Sequence, residues 1–489
     1  MPTIHAMRDT LPGKWIDTGI IFVLTWWLVG LIIDGPGDSK NKKVVTLGGI
    51  SWGMEDFCRH WLITGNTGSG KTASGIANIF VQLLKNVPNF GAVFLDQKGD
   101  LWKMVQAATQ GLKQSHRLVL LQVRPLDAGR DWQPRWTMNL IGDPALLPSS
   151  IADTLADAAV ARKAISLDGN AAHFVSQAKI HIAKAVEFYR MLDENPTIPK
   201  IYRFLSLETK LDGQLEKLNT IGTIEAEAIY DHFQNYLQIA DEERSGIKGT
   251  ITNMLSFYCE SDLEEVFCVE NPNFTVDMVD QAKIVCVSIP QKYKAARQLV
   301  NTFIKLSLFE HGLKRFDRAG GQDKGFNLIV GFFDEAQRLV TKSELGAADH
   351  NTVDQVRAAR LALIYSTQAE RSFVPVLGRD ITNTLVDNLS NELIFKSNNE
   401  EDAEKASKRI GSRPIMKVSY SEGKGGTNRT RNEQIEAYIR PHQLRALPKH
   451  VAVIRHCEGK WKKAYIAPTT FTSPIQDNTA IIEQEEAIA

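Results

Sequence analysis

The chain has 489 residues, 43% hydrophobic and 23% charged, which is long enough for two or three domains with ample core. Lysine plus arginine equals aspartate plus glutamate at 57 each, which excludes bulk charge as a reason to bind nucleic acid and leaves only local contacts. Five scattered cysteines, Cys58, Cys259, Cys268, Cys286 and Cys457, form no C-x-x-C pair; they argue against zinc or redox chemistry and for small buried side chains in a reducing compartment.

The first element in chain order is apolar. Thr18–Ile33 carries no charge and is bounded by Asp17 and Asp34. At about 1.5 Å per residue it spans about 24 Å, slightly short of the roughly 30 Å hydrocarbon core of a bilayer. Trp15, Trp26 and Trp27 are candidate interface anchors, and Lys40, Lys42 and Lys43 set the C-terminal side as cytoplasmic. The run is therefore read as a membrane helix in residues 1–40, with a buried or interfacial helix as the alternative at this length.

His60–Gly65, "HWLITG", reads as a short buried strand. It runs into Gly65, Asn66, Thr67, Gly68, Ser69, Gly70, Lys71 and Thr72, which fit G-x-x-x-x-G-K-[ST], the pattern of a phosphate-binding loop. Gly65, Gly68 and Gly70 allow the backbone to curl and aim N–H groups inward, Lys71 reaches the β- and γ-phosphates, and the Thr72 hydroxyl is a ligand for Mg²⁺. Lys71–Asn86 reads as a helix with Ile76, Phe80 and Leu83 or Leu84 on one face. Strand, loop and helix in that order set a helix N-terminus under the phosphates.

Gly91–Val105 reads as strand, turn and helix, and Arg117–Val123 as a third apolar strand. Strands alternating with helices predict a parallel sheet covered on both faces. Between residues 139 and 262 the pattern becomes helical, as in His173–Leu192 with Phe174, Ala178, Ile182, Ala185 and Tyr189 in phase, and in Ser245–Tyr258. Lys283–Pro290 restores a strand, a helix follows over Ala295–Arg315, and Arg318–Gly325 reads as a loop. In "NLIVGFFDEAQRLV", Asn327–Val340, an apolar strand ends in Asp334 and Glu335. Beside a phosphate loop, Asp334 is suited to hold Mg²⁺ through water and Glu335 to polarise the attacking water; by itself, such a pair is also a solvated helix start. A helix bearing Arg357 and Arg360 then leads into "LALIYSTQ", where Gln368 at the strand's end is placed to sense a γ-phosphate or to cap a turn. Arg357 and Arg360 are surface arginines or arginine fingers for a neighbouring subunit.

The order of these motifs resembles that of the type IV secretion coupling proteins, the membrane-anchored ATPases of conjugation and related DNA-transfer machines, over about residues 40 to 470. "HWLITGNTGSGKT", "FLDQKGDL" (with Asp100 where the family has Glu), "WTMNLI" (without the family's proline), "FFDEAQRL", "YSTQAE" and "IRPHQLRALPKHVAVI" carry it. The resemblance implies a RecA-like α/β nucleotide domain in two parts, 41–138 and 263–470, with an all-helical domain inserted at 139–262. The motifs themselves give ATP and Mg²⁺ as ligands and Lys71, Asp334, Glu335 and Gln368 as catalytic, with Arg360 the candidate finger in a neighbour's site and Arg357 its alternative; the resemblance implies a homohexamer around DNA. It further implies a bacterial inner-membrane location, type IV channel components, and a relaxosome or protein cargo as partners. Family members commonly have two N-terminal membrane helices around a small external domain; this sequence offers one run. Two other functions fit the residues: a soluble translocase in DNA processing, and a membrane-bound adaptor that recruits cargo and uses ATP for assembly.

Local DNA contacts have two candidates. Ser419–Glu433 is a Gly-rich hairpin tip with Lys424, Arg429 and Arg431, and Glu458–Tyr465 interleaves Trp461 and Tyr465 with Lys460, Lys462 and Lys463. Both also read as solvated turns and a lysine-blunted edge strand. Residues 471–489 are polar and acidic at the end, and are expected to be a disordered tail.

Overall fold

A computed structural model describes residues 43–471, apart from 130, 145, 162, 207–210, 320–324, 343–346, 424, 425 and 470. The expected membrane run Thr18–Ile33 and nearly all of the expected tail lie outside the described residues. Among the described residues, no helix is long and apolar enough to cross a membrane.

A small hairpin of β1 (Val45–Leu47) and β2 (Ile50–Trp52) precedes a nine-stranded sheet. The sheet comprises β3 (Trp61–Thr64), β4 (Gly91–Leu95), β5 (Leu118–Gln122), β6 (Ile284–Ser288), β7 (Ile329–Phe333), β8 (Leu361–Thr367) and β9 (Asn391–Ile394). After a separate hairpin of β10 (Ser412–Gly423) and β11 (Gly426–Ala437), β12 (Val451–Arg455) and β13 (Trp461–Tyr465) complete it. The strand order is β13-β12-β9-β3-β8-β7-β4-β6-β5. All pairings from β9 to β5 are parallel, and β12 and β13 add an antiparallel edge. The expected mixed α/β fold with a large parallel sheet is present.

The parallel strands read as continuous apolar runs because both of their faces are buried. Alternate side chains serve opposite faces. Leu62, Val93, Leu95, Ile329 and Phe333 join one core, while Ile63, Ala92, Phe94, Val330 and Phe332 join the other. On the second face pack the helices Ala77–Asn86 and Leu101–Gly111, through Phe80, Leu83, Leu84 and Val105. Phe80 stands edge-on to Phe94, which stacks on Phe332 at 4.2 Å. The first face is covered by Lys294–Ala319, whose core continues into a helical block.

That block runs from Pro148 to Phe267 through the helices Pro148–Ala161, Asn170–Met191, Ile198–Ser206, Leu211–Asn219, Ile224–Gln238, Asp241–Leu255 and Ser261–Phe267. The chain leaves and re-enters the sheet layer at one place, because Met138 and Asn139 bridge to Phe274 and Cys268. Asn139, from "WTMNLI", fixes that neck by donating to the Pro196 carbonyl at 2.9 Å.

Three details differ from the sequence reading. The helix after the phosphate loop begins with a π-wound segment, Lys71–Ile76, before the α-helix Ala77–Asn86. The helix expected to bear Arg357 and Arg360 spans Asp349–Val356 and stops before both. Arg360 adopts φ 55, a left-handed conformation that cannot continue a helix, and its N–H closes a turn on the Arg357 carbonyl. The third difference is in the hairpin, which extends over Ser412–Ala437, well beyond a tip, and exposes Met416 and Ile435 on its surface.

Candidate nucleotide site

Parallel register brings the carboxyl ends of β3, β7 and β8 to one edge. Thr64 pairs with Thr367, and Phe333 lies between Leu95 and Tyr365. Ligands of open α/β sheets bind at this edge. A cavity of about 260 Å³ opens there, lined by the loop residues Thr67, Gly68, Gly70, Lys71, Thr72 and Ala73, and by Lys98, Asp334, Glu335, Thr367, Gln368, Lys449 and His450.

The loop is shaped by glycines in conformations other residues avoid: Gly65, Gly68 and Gly70 have φ of 149, 78 and 114. A Cβ on Gly65 would lie 2.6 Å from Phe395, and one on Gly70 would lie 2.8 Å from the His450 ring. Lys71 folds over the loop and donates to the carbonyls of Gly65 at 2.5 Å and Asn66 at 3.1 Å. Burial lowers its pKa, and the Asp334 carboxylate opposes that shift.

Asp334 is the hub. Its Oδ2 accepts from the Thr72 hydroxyl at 3.1 Å, and its Oδ1 accepts from Ser366 at 2.7 Å and from the Glu335 N–H at 3.0 Å. Glu335 follows at φ 52, a left-handed turn unusual for glutamate. Its carboxylate lies 3.6 Å from Lys98 Nζ and 3.9 Å from Arg338 Nε. Gln368 is exposed at the cleft's rim. Thr367 beside it donates to Gln337 at 3.0 Å, tying the end of β8 to the turn after Glu335.

Lys98 is held in place from behind. Asp96 accepts the N–H groups of Gly99, Asp100 and Leu101 at 2.7, 3.0 and 3.3 Å. The buried Arg297 donates to the Lys98 carbonyl at 3.1 Å. Thus the acidic residue of "FLDQKGDL" that shapes the turn is Asp96, while Asp100 precedes the next helix.

Lys71, Thr72, Asp334, Glu335 and Gln368 therefore converge, and Arg357 and Arg360 do not. Both arginines lie at the amino end of β8, whose seven residues separate them from Gln368 by roughly 20 Å. The Arg360 guanidinium donates to the Phe326 carbonyl at 2.8 Å, whereas Arg357 is exposed. Sequence reasoning missed Ser366, Lys98 and His450. All three sit inside the motifs that carry the resemblance, but their partners are remote in sequence.

The donor set fits a nucleoside phosphate with Mg²⁺. Thr72 and Asp334 offer the hard oxygens that Mg²⁺ selects, and a half-buried ammonium satisfied by loop carbonyls gains from phosphate oxygens. Among the described residues, Asp56, His456 and Cys457 form the single other cluster of metal-ligand types, at the far end of β12. There the Glu458 N–H donates to His456 Nδ1 at 3.1 Å, which leaves the proton on Nε2, and Arg59 lies 3.8 Å from Asp56. That cluster is satisfied as it stands.

A family model described as "Type IV secretory system Conjugative DNA transfer" matches residues 29–460. No curated protein matches the sequence. Among solved structures, the bacterial conjugative coupling protein TrwBdeltaN70 in its unbound monoclinic form superposes with a TM-score of 0.62 at 13% identity, over 89% of this chain and 91% of that one. The plasmid coupling protein TrwB in complex with ADP and Mg²⁺ gives 0.61 at 13%, over 88% and 90%. VirB4 of Thermoanaerobacter pseudethanolicus gives 0.52 at 13%, over 88% and 98%. At these identities the likeness is one of fold.

Proposed function

The chain belongs to the family of type IV secretory system proteins for conjugative DNA transfer, and from that premise we propose that it hydrolyses ATP to drive DNA toward a secretion channel. The observation that carries this reading is the convergence of Lys71 and Thr72 with Asp334 and Glu335 in one cleft, tied by the 3.1 Å bond between Thr72 and Asp334. That TrwB binds ADP with Mg²⁺ supports the choice of ligand.

Each residue has a task set by its surroundings. The loop N–H groups and Lys71 bind the phosphates, and Lys71 exchanges loop carbonyls for phosphate oxygens. Thr72 and Asp334 hold Mg²⁺, which supplies neutralisation of phosphate charge when bound. Ser366 orients Asp334, leaving Oδ2 toward the loop. Glu335 orients a water and accepts its proton, with the Lys98 ammonium 3.6 Å from its carboxylate. Gln368 reports the state of the phosphate end to β8. Residues 139–262 act as an inserted helical domain that moves with this cycle, six copies form the working ring, and Thr18–Ile33 attaches it to the bacterial inner membrane.

The test is ATP hydrolysis by the purified full-length protein. Wild type is expected to release phosphate in an Mg²⁺-dependent way and Lys71→Ala to release none. Equal rates from the two proteins would refute the reading.

A further inference from the structure

One wall of the cleft has no task in the scheme above. Lys449 and His450 line it opposite the Asp334–Glu335–Gln368 end, beside Ala73. They come from the turn before β12, on the far side of β3 from β8, and so are separated from the carboxylates by the phosphate loop itself.

His450 is fastened to that loop at several atoms. Its N–H donates to the Ser69 carbonyl at 2.9 Å, and its carbonyl accepts from Ile466 at 2.8 Å. Its Nδ1 bonds with the Ser74 hydroxyl at 2.8 Å. To make these contacts, His450 takes φ 64, a left-handed conformation that favours glycine and that a side-chain-bearing residue seldom adopts. With Nδ1 engaged, Nε2 is the ring atom left to meet a ligand. The Tyr465 ring, 61% exposed, stands edge-on to the imidazole at 6.3 Å and continues the surface outward.

The direction of a bound nucleotide follows from charge. The Mg²⁺ donors and the water-activating carboxylate must face the terminal phosphate, so the other end of the ligand leaves the loop on the side away from them. We propose that the Lys449–His450 corner is the nucleoside end of the site, with His450 touching the ribose or base through Nε2. The inference rests on the reading that the cleft binds a nucleotide. It adds a residue that selects a nucleoside phosphate over a bare polyphosphate.

The test compares two probes, ADP and inorganic tripolyphosphate, titrated in the presence of Mg²⁺ against full-length wild type, His450→Asn and Ser74→Ala. Asparagine tolerates positive φ, so the corner keeps its backbone, and Ser74→Ala removes only the hydroxyl that orients the ring. Losing one neutral hydrogen bond should weaken ADP by about three- to tenfold in His450→Asn. Ser74→Ala should move ADP affinity the same way by less, and tripolyphosphate affinity should not change in either variant. An unchanged ADP affinity in His450→Asn overturns the inference. So does an equal loss for both probes, which would make His450 a brace for the phosphate loop. Wild type binding neither probe would instead defeat the nucleotide reading itself, and the inference with it.

Discussion

Glu335 occupies a left-handed backbone conformation at the end of a buried strand, held between Lys98 and Arg338. A strained non-glycine turn is retained where it aims a side chain, and here it aims a carboxylate into the cleft. Glu335→Gln should keep nucleotide binding, because Lys71, Thr72 and Asp334 are untouched, while hydrolysis falls by about 10²–10⁴. Single-turnover phosphate release beside equilibrium ADP binding checks this; near-wild-type turnover would remove Glu335 from the chemistry. Ser366 acts one step further out, by fixing Asp334. Ser366→Ala should raise the Mg²⁺ concentration for half-maximal rate by about 10–100-fold, as loss of a bond that orients a metal ligand does. The phosphate loop and Asp334–Glu335 were legible in the sequence because their chemistry is local: glycines, a lysine, and carboxylates at a strand end. Ser366 and His450 were not, because a hydroxyl or an imidazole takes its meaning from a partner 32 or 376 residues away.

A buried ion pair ties the site to the helical side of the sheet. Lys305, on the helix Lys294–Ala319, is fully enclosed and donates to Asp349 at 2.5 Å and to the Leu339 carbonyl at 2.7 Å. Asp349 also accepts from the Thr341 N–H at 2.7 Å and from the Tyr365 hydroxyl at 2.6 Å. One carboxylate thereby joins the segment after Glu335, the helix Asp349–Val356, and β8. Lys305→Met leaves Asp349 buried without its cation and should cost about 3 kcal/mol or more of stability, seen as a lower urea midpoint; an unchanged midpoint would show that the pair contributes nothing net. In the helical block, His181 bonds with His232 at 2.9 Å, and burial lowers the pKa of His181 to about 4 from 6.5. The unfolded chain therefore takes up a proton that the folded chain refuses between those values. Stability from His181 is present above about 6.5 and is lost as pH falls toward 4. The melting temperature of wild type should drop over that window by more than that of His181→Gln. Element type was legible wherever apolar periodicity ran long. The π-wound start at Lys71 was not, because a glycine loop rather than side-chain period sets it. The early stop at Val356 was not either, since nothing in "RAAR" announces a left-handed Arg360.

For the whole molecule, the parallel sheet followed from alternating strands and helices, and the lysines of Glu458–Tyr465 offered the edge strand that β13 is, whereas the antiparallel pairing through β12, which brings His450 to the phosphate loop, could not be read from spacing. The position of Arg357 and Arg360 far from their own cleft makes any catalytic role an intersubunit one, and Arg357 is the better presented of the two. In a ring of six, Arg357→Ala should bind ATP yet fail to hydrolyse it, and mixing it with Lys71→Ala protein should recover part of the rate by pairing an intact loop with an intact finger. No recovery while mixed rings form would remove Arg357 as a finger for a neighbouring subunit. Lysines introduced at Leu28 and Val29, each costing about 2.5–3.5 kcal/mol at a helix centre, should shift the protein from the membrane fraction to the soluble one; wild type that is already soluble without detergent would contradict the anchor. The central claim is that this cleft converts ATP hydrolysis into work on DNA. Its most direct measurement is the ATPase rate of the full-length protein with and without DNA, beside Lys71→Ala. The account predicts a rate that DNA raises and that Lys71→Ala lacks under both conditions; a wild-type rate indifferent to DNA, or a Lys71→Ala rate equal to it, would contradict the account.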